Sequence, residues 1–220
     1  GITMGGGAGV SIHGSHRIAT ENLMFAMPET ALGFFPDIGA SHFLTRCPGK
    51  SGWYLGLTGD RIGAADAHAL GLVTHVVSSD TLPTLLEQLI DTRFDGDDNA
   101  TVSALINQFS SPTDTPKLLP HRGEIDHCFS QDSMVDIIHA LQASHTEWAD
   151  KIVDTLLTRA PISLAITFEQ LRRACHLNFD SIMQMEYNIS QSFLDNPNFY
   201  EGIRSVLIDK DRNPNWSPAS

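Results

Sequence analysis

The sequence predicts an α/β segment over roughly residues 1–80 and an all-helical segment over roughly 81–220, on three observations. A glycine-rich opening, GITMGGGAGVSIHG, runs into apolar alternation around Ile18-Ala19 and Leu23-Met24-Phe25, the spacing of short strands. Pro28, Gly33, Pro36 and Gly39 then punctuate a loop. From about residue 124 onward, apolar residues return every three to four positions, as on the buried face of a helix.

Each element follows in order. Gly5-Gly6-Gly7 before Ala8-Gly9-Val10 predicts a tight turn into a helix, because glycine reaches backbone angles that other residues avoid. Two short strands are expected within 15–27. Helices are expected over 38–47, 49–57 and 64–70, a strand over 73–77 and a helix over 81–91. The run beginning Asp95-Gly96-Asp97 reads as a turn, and 110–123, with three prolines, as a linker. Helices follow over 147–160, 162–176, 179–194 and 199–208, ahead of an irregular tail. Trp53 and Tyr54 are expected in the core. The apolar residues Leu156, Ile162, Ile166, Phe193, Leu194 and Leu207 suit either a core or a self-association face. The α/β segment is too small for a complete layered sheet. Because the glycine motif follows directly on Gly1, further strands are expected ahead of it.

Composition narrows the function. The net charge is −12, from 26 acidic and 14 basic residues, and Arg172-Arg173 is the one adjacent basic pair. No basic patch exists for a nucleic-acid backbone, and the acidic balance disfavours an anionic membrane surface. No run of 18 apolar residues occurs. Cys47, Cys128 and Cys175 are scattered and odd in number, which reads as free thiols in a reducing compartment rather than a disulfide or zinc framework. His13 and His16 lack an evident third ligand, so no metal is expected.

Two constellations carry chemistry. Gly5-Gly6-Gly7 lets backbone N–H groups approach a ligand, and a helix starting there adds unpaired donors and a positive dipole end, suited to an oxyanion or phosphate. Its structural alternative is close packing of a helix on a sheet. The spacing fits neither a dinucleotide-binding G-x-G-x-x-G nor a P-loop. The second is Met27-Pro-Glu-Thr-Ala-Leu-Gly-Phe-Phe-Pro-Asp-Ile-Gly. Glu29 and Asp37 stand eight residues apart in an otherwise apolar loop, where desolvation raises a carboxyl pKa toward neutrality. Their alternatives are a helix start for Glu29 and a helix cap for Asp37. Ser41-His42 lies close by in sequence, as a supporting pair or as packing. No G-x-S-x-G nucleophile elbow occurs.

In sequence order, GITMGGGAGVSIHG, FAMPETALGFFPDIGASHFL and LTGDRIGAADAHALGLVTHVV resemble signatures of the crotonase (enoyl-CoA hydratase/isomerase) superfamily. Within it, the Pro-Glu-Thr…Phe-Pro-Asp-Ile-Gly pattern and the closing NFYEGIRSVLIDKDRNPNWSP resemble the 3-hydroxyisobutyryl-CoA hydrolases. The resemblance spans nearly the whole chain and is weakest over 95–145. It implies a partial crotonase-type spiral of ββα units followed by a helical region. It places Gly6 at one backbone N–H of a thioester oxyanion hole, Glu29 at the family's catalytic glutamate and Asp37 at the hydrolases' second acid. Gly9 falls where hydratases carry their other glutamate, which favours hydrolysis over hydration.

The implied reaction is hydrolysis of the 3-hydroxyisobutyryl-CoA thioester in valine catabolism, with 3-hydroxypropionyl-CoA as a second substrate. CoA is part of the substrate, and no separate cofactor is implied. The family's other oxyanion donor and most CoA contacts lie before the triple glycine. An upstream segment or partner chain is therefore expected to complete the fold, and the 220 residues alone are expected to be inactive. Alternatives are an enoyl-CoA hydratase or isomerase, and a non-catalytic scaffold subunit of a large assembly such as a mitochondrial ribosome. A homo-oligomer is a further possibility. The implied location is the mitochondrial matrix in a eukaryote and the cytoplasm otherwise.

Overall fold

The structure is a computed structural model that describes residues 1–94 and 96–217. β1 (Ile2–Met4) leads through Gly5 into α1 (Gly6–Ser11), and β2 (Ile18–Ala19) and β3 (Met24–Ala26) follow. A 3₁₀ turn over Glu29–Leu32 precedes α2 (Ala40–Leu44), α3 (Ser51–Thr58) and α4 (Ala64–Ala69), and β4 (His75–Val76) closes the α/β part. β1 pairs in parallel with β3, Met4 opposite Ala26, and β2 pairs in parallel with β4. β1 was not expected, and the other strands are shorter than their sequence ranges.

The helical part comprises α5 (Leu82–Asp91), α6 (Asp98–Gln108), α7 (Arg122–Cys128), α8 (Met134–Ser144), α9 (Glu147–Leu157), α10 (Pro161–Ala174), α11 (Phe179–Phe193) and α12 (Pro197–Ile203). Side-chain caps explain many of their starts: Ser133, Thr146, Asn178 and Asn196 each accept a backbone N–H from the first turn. The expected helix over 199–208 begins earlier, at Pro197, and runs into a wider π turn over Arg204–Ile208. No helix among the described residues is long and apolar enough to cross a membrane.

Two expectations need correction. α6 was not anticipated: Ile106 is its one buried residue, so the mostly polar sequence carries little periodic signal. Asp95 lies outside the described residues, and Asp97 from the expected turn caps α6 by accepting the N–H of Ala100. The helix expected over 38–47 is confined to Ala40–Leu44 because Ile38 and Gly39 take φ of +61° and +76°. Those angles lie in the left-handed region and cannot extend a right-handed helix.

One hydrophobic cluster joins both parts of the chain. Ala8, Phe43, Leu44 and Leu55 pack in it with Ile137 and Leu171 of the helical part. Trp53 and Tyr54 are buried there, as expected. The anticipated stripe does not form one face, since Leu156 and Phe193 are buried while Leu194 and Leu207 are exposed.

Candidate active site

Strand register brings the two sequence constellations together. β1 and β3 are parallel neighbours, so the chain leaves both at the same end, through Gly5-Gly6 after β1 and Pro28-Glu29 after β3. The closeness is measurable at Gly5, where a β-carbon would stand 2.7 Å from Glu29 Oε1. Gly5 also holds φ +49°, ψ −119°, so both its angles and its lack of a side chain are required.

α1 starts directly at this turn. Gly6 and Gly7 are exposed, and among the described residues their N–H groups donate to no protein acceptor. They are the unpaired donors that every helix start leaves. Gly6 therefore presents a free amide one residue after the close approach of Gly5 to the Glu29 carboxyl.

Glu29 begins the 3₁₀ turn, as its helix-start alternative predicts, and is also buried, at 6% exposure. The two readings coexist. Its Oε2 has no hydrogen-bond partner among the described residues. Burial pushes its pKa up to about 8, and the nearby charge of Asp37 pushes in the same direction. Asp37 is half-buried, and its pKa is raised to about 6, first by burial and then by the charge of Glu186.

Asp37 does not cap α2. Its side chain makes no cap hydrogen bond, and only its backbone carbonyl accepts from Ala40. The capping acceptor is Glu186 of α11, which sequence reasoning missed. Its Oε2 accepts from Gly39 N at 2.6 Å, and its Oε1 accepts from Ser41 N at 2.9 Å and Ser41 Oγ at 2.6 Å. Gln170 of α10 donates through Nε2 to Pro36 O at 2.7 Å and to Ser41 Oγ at 2.5 Å. Ser41, Gln170 and Glu186 are all buried. A signal was available: Glu186 sits four residues after the buried Ile182, on the core-facing side of α11.

Ile38 completes the site and was likewise missed as a functional position. Its side chain crosses the face of α1, where a β-carbon on Gly9 would meet Ile38 Cγ2 at 2.1 Å. Its carbonyl is held by His13 Nε2 at 3.0 Å. Ser41 belongs to the buried network, while His42 packs with His13 and Phe179. The 450 Å³ cavity lined by Glu21, Arg61, Asp66 and Lys117 includes none of Gly6, Glu29 or Asp37. Among the described residues no cluster of His, Cys, Asp and Glu has the arrangement of a metal site.

Residues 1–220 match the family model described as enoyl-CoA hydratase/isomerase over their whole length. The chain belongs to the enoyl-CoA hydratase/isomerase family. A mitochondrial 3-hydroxyisobutyryl-CoA hydrolase from Xenopus tropicalis is 42% identical over 99% of this chain and 57% of its own length. The Homo sapiens protein of the same description is 41% identical over 100% of this chain and 58% of its own. The family member described here thus spans less than two thirds of those curated relatives.

Solved structures agree on the crotonase fold. A carnitinyl-CoA dehydratase from Mycobacterium thermoresistibile superposes with a TM-score of 0.90 at 36% identity, covering 99% of this chain and 61% of that one. An enoyl-CoA hydratase from Rhodobacter sphaeroides gives 0.88 at 33% identity, covering 100% and 62%. The partial spiral and helical region of this family member are therefore those of the crotonase fold.

Proposed function

We propose that the chain carries the centre of an acyl-CoA thioester hydrolase acting on 3-hydroxyisobutyryl-CoA. The observation that supports it most is the buried Glu29 carboxyl, its Oε2 unpartnered among the described residues, packed against Gly5, the residue directly before the free N–H of Gly6. A thioester carbonyl placed with its oxygen on that N–H presents its carbon to the carboxyl. Attack there builds negative charge on the oxygen, and a preorganised donor stabilises such charge by roughly 2.7–4 kcal/mol. Glu29 acts on this carbon by activating water or by direct attack, which forms an anhydride that water opens. Either route consumes one water and yields a carboxylic acid and the CoA thiol. Asp37 accepts a hydrogen bond from the 3-hydroxyl of the acyl group. The related 3-hydroxypropionyl-CoA fits the same contacts.

Hydration of an enoyl-CoA is the weaker reading. A hydratase's second carboxylate has no room at Gly9, because Ile38 occupies that space. The second oxyanion donor and most CoA contacts are proposed to come from chain outside these 220 residues, in keeping with their 57–58% share of the relatives' length. Those relatives are named mitochondrial, which supports the matrix as the location if the source is eukaryotic.

The test is thiol release from 3-hydroxyisobutyryl-CoA by the full-length protein, alongside water addition to crotonyl-CoA and co-sedimentation with a large particle. Thioester turnover that Glu29→Gln abolishes is expected. Hydration without thiol release, or particle association without either activity, would replace the proposal by the corresponding alternative.

A further inference from the structure

The loop that carries Asp37 is not held by its own neighbours in sequence. Gly39 and Ser41 donate their N–H groups across 147 and 145 residues to the two oxygens of Glu186. The donor directions of the network follow from chemistry. Gln170 Nε2 only donates, so Ser41 Oγ accepts from it and passes its own proton toward Glu186 Oε1. Pro36, which has no N–H, is fixed through its carbonyl by the same Gln170 nitrogen. Residues on both sides of Asp37 are therefore clamped, from α10 on one side and α11 on the other. The clamp is buried, with Glu186 at 3% and Ser41 at 0% exposure, so water does not compete for these bonds.

The N-cap position of α2 is Gly39, which has no side chain to accept the first N–H groups of the helix. α2 is instead capped from a distance, and among the described residues the Asp37 side chain makes no hydrogen bond to another residue. We propose that Glu186 is a positioning residue for the reaction: by capping α2 through Gly39 and Ser41, it fixes the backbone that follows Asp37, holds the Asp37 carboxyl toward the substrate side and sets its placement relative to Glu29. Gln170 and Ser41 relay the same constraint. The inference rests on the hydrolase reading for its kinetic part, while its structural part stands without it.

The titratable groups around this loop are Glu29 at the 3₁₀ turn, His13 after α1, His42 on α2 and Glu186 on α11. Glu186 holds the Asp37 pKa up, so removing its charge lowers the Asp37 titration midpoint. The variant Glu186→Gln keeps the volume but turns one acceptor into a donor facing a backbone N–H. In the full-length protein, three readouts are expected to change together. Amide exchange at Gly39 and Ser41 quickens by about tenfold, the effect of one lost hydrogen bond. The Asp37 midpoint, followed by carboxyl NMR, moves down from about 6. The kcat/KM falls by between about tenfold and a hundredfold, as for a misplaced substrate contact.

Ser41→Ala, which cuts the relay but keeps the Glu186 charge, is expected to quicken exchange and lower kcat/KM by smaller amounts without lowering the Asp37 midpoint, and it decides the matter if Glu186→Gln does not fold. Glu169→Gln, at an exposed pair with Arg172 and Arg173, is the control and leaves all three readouts unchanged. Unaltered amide exchange and an unmoved Asp37 midpoint in the folded variant overturn the proposal, whatever the rate. A shifted midpoint with full kcat/KM in an active enzyme also overturns it. A parent protein that turns over no thioester refutes the hydrolase reading instead, and exchange and titration still decide the clamp.

Discussion

Ile38 closes over Gly9: a β-carbon at residue 9 would lie 2.1 Å from Ile38 Cγ2 and 2.7 Å from Ile38 Cβ. Ile38 holds this place at φ +61°, an angle that a β-branched residue adopts against its own sterics. Such strain survives only where surroundings over-determine it, and here His13 fixes the carbonyl while Glu186 fixes the next residue.

Gly9→Ala sets two effects against each other. Alanine gains about 1 kcal/mol over glycine within a helix. The collision with Ile38 costs about 1–3 kcal/mol, since a packed neighbour has little room to give. Net destabilisation of about 1 kcal/mol is expected in denaturant titrations. Adding Ile38→Gly removes both clashing atoms and the positive-φ strain, so the double variant recovers more than independent effects allow. Strict additivity between the two substitutions would contradict the contact.

Glu29→Gln separates chemistry from stability. Loss of the reacting carboxyl is expected to lower thiol release by about 10²–10⁴-fold. The same change removes a buried group whose charged form is disfavoured, so above pH 8 the variant is expected to be more stable by about 1–4 kcal/mol. Loss of both activity and alkaline stability would point to a structural role for Glu29 alone.

The pH dependence has a definite sign. Glu29 titrates at an ordinary 4.5 in the unfolded chain and at about 8 in the folded one. Between those values the folded state holds the extra proton, so its contribution to stability is full below 4.5 and is lost as pH rises to about 8. Asp37 adds a smaller loss of the same sign between 3.8 and about 6. Hydrolysis that uses the Glu29 carboxylate follows the opposite course and rises through about pH 8 in kcat/KM. Rate profiles and unfolding midpoints measured over pH 4–9 are expected to run in opposing directions, and Glu29→Gln flattens the stability trend.

α12 locks the turn that starts with Glu29. A β-carbon on Gly202 would lie 2.1 Å from Leu32 O, and one on Gly33 would lie 2.1 Å from Asn198 O. Backbone oxygens cannot rotate away as side chains do. Gly202→Ala is therefore expected to destabilise by about 2–3 kcal/mol in urea unfolding and to lower kcat, because α12 must lift from the Glu29 turn. Wild-type stability in this variant would show that the helix does not bear on the turn.

The sequence made the site's parts legible and left their relation obscure. Gly6, Glu29 and Asp37 stood out because glycines and carboxylates in apolar surroundings are locally conspicuous. The approach of the Gly5 turn to Glu29 depended on the parallel pairing of β1 with β3, and the shortness of these strands hid β1 altogether. Asp37 read equally well as a cap, because its competitor for that task, Glu186, is remote in sequence. Ile38 gave no warning, since a left-handed isoleucine is legible only in the folded backbone. α6 was lost for a different reason: a helix that buries one residue has almost no periodicity to read.

The distance in sequence between Gly39 and Glu186 also orders events in time. A ribosome delivers the Asp37 loop 147 residues before the carboxylate that seats it. During that interval the amides of Gly39 and Ser41 have water, or Asp37 itself, as their acceptors. Until α11 emerges and docks, the Asp37 loop lacks this clamp, and a chain that ends between residues 41 and 186 carries Gly6, Glu29 and Asp37 without it.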